Sequence, residues 1–568
     1  MEVCYIWVDK FRNFDNAGFN FSSSVKFFYD KNQNLITKEE LTPLPNNFFG
    51  SKIKEVTGII GQNSTGKSNV LELICKIVKG GRNNVKGEFI LITKNMEGVY
   101  KCFFSTKDNR IPQSNFQIWN EDYEGSLNPL KVIFFSNTFD ERKQIFHKDV
   151  SDISLNNIFP KQYNSRRKGI TSFEKQINFI NSDLFNHLEI EHPNKVLITS
   201  KLWASRLNSF QDFKIIGEDV LKLQDFRKFY KARLNDLKSD QNRFAYLIGF
   251  IFFIELLEFS KNKNIQQNQN KLTDLLYGFR KLKTEEIANE IIIINNRLIR
   301  EIQEQLTKTD PKTEKDIFFI TDKLNETNQF INDLRYNISE IDIEYDTEGW
   351  GNRGIEYYSF SYNKKNSAFF KKFVNLFSSS KFIEANWLGI SSGHKAYLNL
   401  FSLIFHELKF KKQSANLLLC IDEGDLYLHP KWQIEFFEKL IKILPLIFSE
   451  SIQLILSSHS PFLVSDLPRQ NLIILNNNRE LTFVENRKFE NNTFGGNIYD
   501  LYEEPFFLGK QRMSKFASSK INYAMERLES KSLTKYKRKE IERIIDLVGD
   551  EVIKFYMENL LRNMKNND

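Results

Sequence analysis

Gly61-Gln-Asn-Ser-Thr-Gly-Lys67-Ser68 sets two glycines, a lysine and a hydroxyl at the spacing G-x-x-x-x-G-K-S, a Walker A loop. Glycine lets the backbone curl until successive N–H groups face one phosphate, and the helix N-terminus behind them adds partial positive charge. The expected cradle is Gly61, Gln62, Asn63, Ser64, Thr65, Gly66, Lys67, Ser68 and Asn69. In it Lys67 would reach the β- and γ-phosphates and the Ser68 hydroxyl would ligate Mg²⁺, so ATP and Mg²⁺ are the expected ligands. Such a loop needs a strand before it and a helix after it. Glu55–Ile60 has the apolar run of a buried strand, and Asn69–Val78 has the periodicity of an amphipathic helix. By itself the motif admits kinases, GTPases and helicases, or an ordinary glycine turn.

A second set of groups narrows this. Leu417-Leu-Leu-Cys-Ile421 reads as a buried strand ending in Asp422-Glu423, a Walker B pattern. A strand of that kind delivers its last residues to the sheet edge where ligands of α/β proteins bind. There Asp422 would hold Mg²⁺ through water, and Glu423 would polarise the attacking water as general base. Ile452–Leu456 is a further buried strand, and Ser457-Ser-His459 follows it. His147, His187, His192 and His406 have no comparable setting and read as structural.

These elements sit in α/β sequence at both ends of the chain. Strands are expected at Val3–Val8, Phe19–Phe28, Phe89–Thr93 and Val132–Phe135. From about 150 to 380 the pattern is mainly helical and rich in Lys, Glu, Gln and Asn. Asp219–Phe259 reads as one long helix or two, followed by a polar loop at Lys261–Lys271. Helical patterns continue over Leu272–Leu306 and Lys315–Ile341, separated by Pro311. The expected layout is 1–150 as the N-terminal lobe with Walker A, 151–380 as a helical insertion, 381–513 as the C-terminal lobe, and 514–568 as C-terminal helices. Two separate domains are the alternative, but each would then hold only one of the two Walker elements.

With 568 residues, 41% hydrophobic and 27% charged, the chain fits a soluble globular protein of about two or three domains. A net charge of +8 permits nucleic-acid contact without requiring it. Cys4, Cys75, Cys102 and Cys420 form no C-x-x-C pair, so a zinc hook or redox motif is not expected and buried free thiols are. The longest apolar run, Phe244–Ile254, is too short to span a bilayer, and the N-terminus has no basic leader; a cytoplasmic location is the expectation.

Trp387-Leu-Gly-Ile-Ser391-Ser392-Gly393-His394 resembles the signature motif of ABC-type ATPases, with His394 where Gln or Glu is usual. Ser457-Ser-His459 resembles their switch histidine. Asp422-Glu-Gly-Asp-Leu-Tyr-Leu-His-Pro430 resembles the Asp-Glu-Pro-Glu-x-x-Leu-His-Pro stretch of the SMC/RecF/OLD-like branch, and Lys10-Phe-Arg-Asn-Phe14 its first-strand motif. The resemblance implies a P-loop ABC-type ATPase head, α/β in class, split by a mainly helical insertion and ending in a helical tail. It implies that His459 contacts the γ-phosphate, that Arg12 lies near the nucleotide, and that Asn137 takes the Q-loop place. Ser391, Ser392 and Gly393 would meet the γ-phosphate held by a second subunit, making a head-to-tail homodimer or higher oligomer. His429 stands at the dimer seam.

Tyr5–Phe14, Ser391-Ser-Gly-His-Lys, Thr493-Phe-Gly-Gly-Asn-Ile-Tyr-Asp500 and Phe506-Phe-Leu508 are similar to the PtuA-type ATPases of Septu and retron anti-phage systems. That family works with a separate HNH nuclease. The function implied is an ATPase whose ATP-gated dimerisation regulates an effector nuclease, with no nuclease site in this chain and no membrane partner. A RecF/SMC-like DNA-binding repair ATPase, and an ATP-binding module that holds an effector silent, are the alternatives.

Overall fold

A computed structural model describes residues 1–106, 110–123, 125–128, 130–138, 144–157, 172–202, 223–262, 287–309, 322, 325–334, 342–346, 355–377, 380, 382–409, 416–478, 481–484, 492–503, 513–530 and 534–565. Its frame is a 12-stranded sheet. One half is parallel, in the order Val150–Asp152, Leu130–Ser136, Asn416–Asp422, Ser451–Ser457, Ile53–Gly61 and Leu472–Asn478. The strand Leu481–Val484 turns back antiparallel and joins this half to Phe14–Asn20, which continues into Glu2–Phe11, Phe89–Lys94, Tyr100–Ser105 and Trp119–Asp122.

The parallel strands are apolar on both faces because helices cover both. Leu418 and Cys420 pack with the helix Lys67–Gly80 through Val70, Leu71, Ile74 and Ile77. Leu417, Leu419 and Ile421 face the helices Ser392–Lys409 and Pro430–Ile447 on the other side. Burying each such Leu or Ile stabilises the sheet by about 1.5–3 kcal/mol. All four cysteines are free and buried.

Three sequence expectations are refined. The run Phe19–Phe28 is two strands, Phe14–Asn20 and Val25–Asp30, because Ser22-Ser-Ser24 breaks it and Val25–Asp30 leaves for a small second sheet with Leu35–Glu40. The Asp219–Phe259 pattern holds two helices, Leu223–Asp236 and Asp240–Asn262. The region 151–380 carries the helices Ser172–Ile180, Leu223–Asp236, Asp240–Asn262, Ile287–Thr309 and Ser367–Phe377, but it also holds strands: Lys195–Ser200, Ile343–Asp346 and Glu356–Ser361 form an antiparallel sheet. The fourth strand of that sheet is Ile383–Leu388, so the lead-in to Ser391 pairs with the insertion rather than with the large sheet. Much of Lys261–Lys271, Leu272–Leu306 and Lys315–Ile341, with Pro311 and Phe506–Leu508, lies outside the described residues.

The C-terminal region holds three helices, Lys515–Glu529, Lys535–Leu547 and Glu551–Lys565, with a small core of their own from Ala524, Leu528, Ile541, Ile545 and Met557. Among the described residues no helix is long and apolar enough to cross a membrane.

Candidate nucleotide site

Five residues separate the end of the strand Ile53–Gly61 from the start of the helix Lys67–Gly80, and the turn between them is the glycine loop. Gly66 adopts φ +89, a left-handed conformation that disfavours other residues, and a Cβ there would lie 2.5 Å from Asn13 Nδ2. Thr65 Oγ1 donates to Gln62 O at 2.8 Å, closing the loop on itself. Asn13 clamps it from outside: Asn13 Nδ2 donates to Thr65 O at 3.1 Å and Asn69 Nδ2 donates to Asn13 Oδ1 at 2.6 Å.

Register then brings the second set of groups to the same edge. Ser136, Asp422 and Ser457 are cross-strand partners in three adjacent parallel strands. Asp422 consequently accepts from Ser457 Oγ at 2.6 Å, from Ser68 Oγ at 2.9 Å and from Ser136 Oγ at 3.1 Å. Burial pushes its carboxyl up, and the hydroxyl donors of Ser457, Ser68 and Ser136 oppose that shift.

Lys67, Glu423 and His459 form a chain beside it. Lys67 Nζ donates to Gly61 O at 3.0 Å and Gln62 O at 3.2 Å, and lies 3.5 Å from His459 Nδ1. His459 Nε2 lies 3.3 Å from Glu423 Oε1. An ammonium can only donate, so Nδ1 is the acceptor and Nε2–H donates to the carboxylate. Burial pulls the Lys67 ammonium down to about 8, against the attraction of Glu423 and Asp422. The hydrogen bond from His459 holds the Glu423 carboxyl below its usual range despite burial. Glu423 adopts φ +48, and its N–H donates to Ser457 O at 3.1 Å, which aims the side chain off the strand end.

The structure thus brings together Gly61–Asn69, Asp422, Glu423 and His459. Arg12 is placed elsewhere. Its guanidinium pairs with the buried Glu72 at 2.6 Å, and Lys76 reaches the same carboxylate at 2.8 Å; the neighbouring Asn13 touches the loop. Ser391 and Ser392 are exposed at the start of the helix Ser392–Lys409, where Ser391 Oγ accepts from His394 N at 3.1 Å. Among the described residues they make no hydrogen bond to the loop. Gly393 packs against the turn after Glu423, where a Cβ would lie 3.2 Å from Tyr427 O. Asn137, 2% exposed, donates from Nδ2 to Leu426 O at 2.9 Å and braces that turn. His429 Nδ1 caps the helix Pro430–Ile447, accepting from Lys431 N at 3.3 Å.

Sequence reasoning missed Asn13, Ser136, Ser457 and the buried pair Asp425–Ser458, in which Ser458 Oγ donates to Asp425 Oδ2 at 2.5 Å. That bond ties the turn carrying Glu423 to the one carrying His459. The available signal was the doubling Ser457-Ser458 directly before a histidine at a strand end.

Residues 56–465 match the family described as "AAA domain, putative AbiEii toxin, Type IV TA system". The chain is similar to "Retron Ec83 probable ATPase" of Escherichia coli, 23% identical over 435 residues that span 75% of this chain and 68% of that protein. It is also similar to "Retron Vc95 probable ATPase" of Vibrio cholerae serotype O1 biovar El Tor, 33% identical over 99 residues, 16% of this chain and 18% of that protein.

Proposed function

The chain belongs to that AAA-domain family, and from this premise we propose that it binds ATP with Mg²⁺ at Gly61–Asn69 and hydrolyses it with Glu423 as the base. The observation that carries the reading is the 2.9 Å bond from Ser68 Oγ to Asp422 Oδ1, which joins loop and strand end across 354 residues of sequence. A hydroxyl and a carboxylate facing each other are hard oxygen donors suited to Mg²⁺, so Ser68 and Asp422 are the pair that would hold it. Held by that pair, the metal would supply positive charge against the phosphates.

The remaining steps belong to the chain's own residues. Loop N–H groups and Lys67 bind and orient the phosphates. Among the described residues Lys67 Nζ has hydrogen bonds only to carbonyls and to His459, so a polyphosphate supplies the anion its ammonium lacks. Glu423, held as carboxylate, takes a proton from the water that attacks the γ-phosphorus, and the bond to the ADP oxygen breaks. His459 holds Glu423 through Nε2–H and turns to the transferred phosphoryl group.

Exposure of Ser391 and Ser392, away from their own chain's loop, supports a composite site in which Ser391 and Gly393 of a second copy cover the γ-phosphate. ATP then closes a head-to-tail homodimer and hydrolysis releases it. The retron relatives support a place in anti-phage defence, with the dimer state regulating a separate effector, an HNH nuclease. Glu423→Gln tests the core of this. Turnover is expected to fall by about 10²–10⁴-fold, while ATP binding and ATP-dependent dimers in light scattering persist. Hydrolysis at the wild-type rate would remove Glu423 as the base.

A further inference from the structure

The helix Lys515–Glu529 carries Phe516, Lys520, Tyr523 and Arg527 at intervals of four, three and four residues, which the 3.6-residue turn puts on one face. Rings and cations alternate along it. Lys520 Nζ lies 5.8 Å from the Phe516 ring centre, and the Arg527 guanidinium lies 5.7 Å from that of Tyr523. Phe516 is 75% exposed. The stripe borders the core side of the helix, where Ala524 and Leu528 are buried, and Glu529 lies on the opposite side. The next helix, capped by Thr534, opens with Lys535-Tyr536-Lys537-Arg538-Lys539, where Tyr536 is 83% exposed. Ion pairs among the unit's described residues are Arg538–Glu542 and Arg562–Glu558. Lys520, Arg527 and Lys539 are left without a carboxylate among the described residues.

Exposed Phe516 and half-buried Tyr523, bracketed by cations that have no carboxylate among the described residues, suit one kind of polymer best. A single nucleic-acid strand offers bases that stack on aromatic faces and phosphates that meet the cations. An acidic protein would use the charges but has no call for bare ring faces alternating with them. We propose that the C-terminal three-helix unit binds single-stranded nucleic acid, with Phe516 and Tyr523 stacking bases and Lys520 and Arg527 holding phosphates. This goes beyond the ATPase reading and does not depend on it.

The test uses the full chain without nucleotide and fluorescein-labelled mixed-sequence DNA and RNA strands of about 16 nucleotides, read by anisotropy across a salt series. Wild type is expected to bind saturably, more weakly as salt rises. Tyr523→Ala should lower affinity by about 5- to 100-fold with an unchanged salt slope, and Tyr523→Phe should restore it. Lys520→Gln with Arg527→Gln should lower affinity and flatten the slope of log K on log salt by about 1.4. Unchanged ATP turnover in these variants reports an intact fold. Absence of saturable binding overturns the proposal. So does wild-type affinity in both kinds of variant, and an outcome in which they lose a co-purifying protein instead would assign the face to a protein partner. Because ATP is left out, a failure here leaves the ATPase reading standing.

Discussion

Asp422 and Glu356 are both buried strand-end carboxyls, each about 1% exposed, one in the large sheet and one in the small sheet of the insertion. Burial raises both. Their neighbours differ. Parallel register hands Asp422 the hydroxyls of Ser136 and Ser457, and the glycine loop adds Ser68. Glu356 receives the Tyr230 hydroxyl at 2.9 Å, its Oε1 has no hydrogen-bond partner among the described residues, and Tyr358 sits nearby. With so little to stabilise its charge, Glu356 is pushed up to about 8 and is a neutral acid at pH 7. A ring of hydroxyl donors surrounds one buried acid, which is the proposed place of a cation; its absence leaves the other a piece of the core.

The sharpest way to break this contrast is to remove each charge. Asp422→Asn is expected to cut ATP turnover about a thousandfold or more, whereas Glu356→Gln should leave it within about twofold. Similar losses in both would mean that Asp422 matters only for folding. Stability should separate them next. Glu356 binds its proton more tightly folded than unfolded, so its contribution is complete below about 4.5 and is lost as pH rises through about 8. Chemical denaturation should show a decline of at most ~1.4 kcal/mol per pH unit in that window, and Glu356→Gln should flatten it. A smaller effect concerns Lys67, whose ammonium is needed by a polyphosphate and is depressed to about 8. Nucleotide affinity measured by calorimetry should fall about tenfold between roughly pH 7 and 9, and Lys67→Arg should remove that decline. Smallest is Ser458→Ala, which takes the donor from Asp425 and should cost about 1 kcal/mol of stability, with a modest drop in turnover because Glu423 and His459 lose their tie.

What could be read from the sequence was whatever is contiguous or strongly periodic. The loop at Gly61–Ser68 is a single run of residues, and Asp422, Glu423 and His459 announce themselves by ending apolar strands. Residues that act through one hydrogen bond gave no such notice. Ser136 and Ser457 matter because three strands fall into register, and Asn13 matters because Gly66 leaves room for it. The small sheet was hidden for a related reason: its strands are short and far apart in the chain, and the helical segments between them dominate the local pattern. The pairing of Arg12 with Glu72, on the helix that follows the loop, gave no sign in the sequence either, because motif position says nothing of rotamer.

The placement of Ile383–Leu388 has an engineering consequence. Val196 pairs with Trp387, whose Nε1 donates to Gln176 Oε1 at 2.9 Å, and Gln176 Nε2 donates onward to Asn399 Oδ1 at 2.6 Å. A chimera that swapped the insertion at the apparent boundary near 380 would sever this seam and orphan the edge strand Ile383–Leu388 that leads into Ser391. The transplantable cassette must run through to the helix Ser392–Lys409, so Ser391 and Ser392 are inherited together with the insertion.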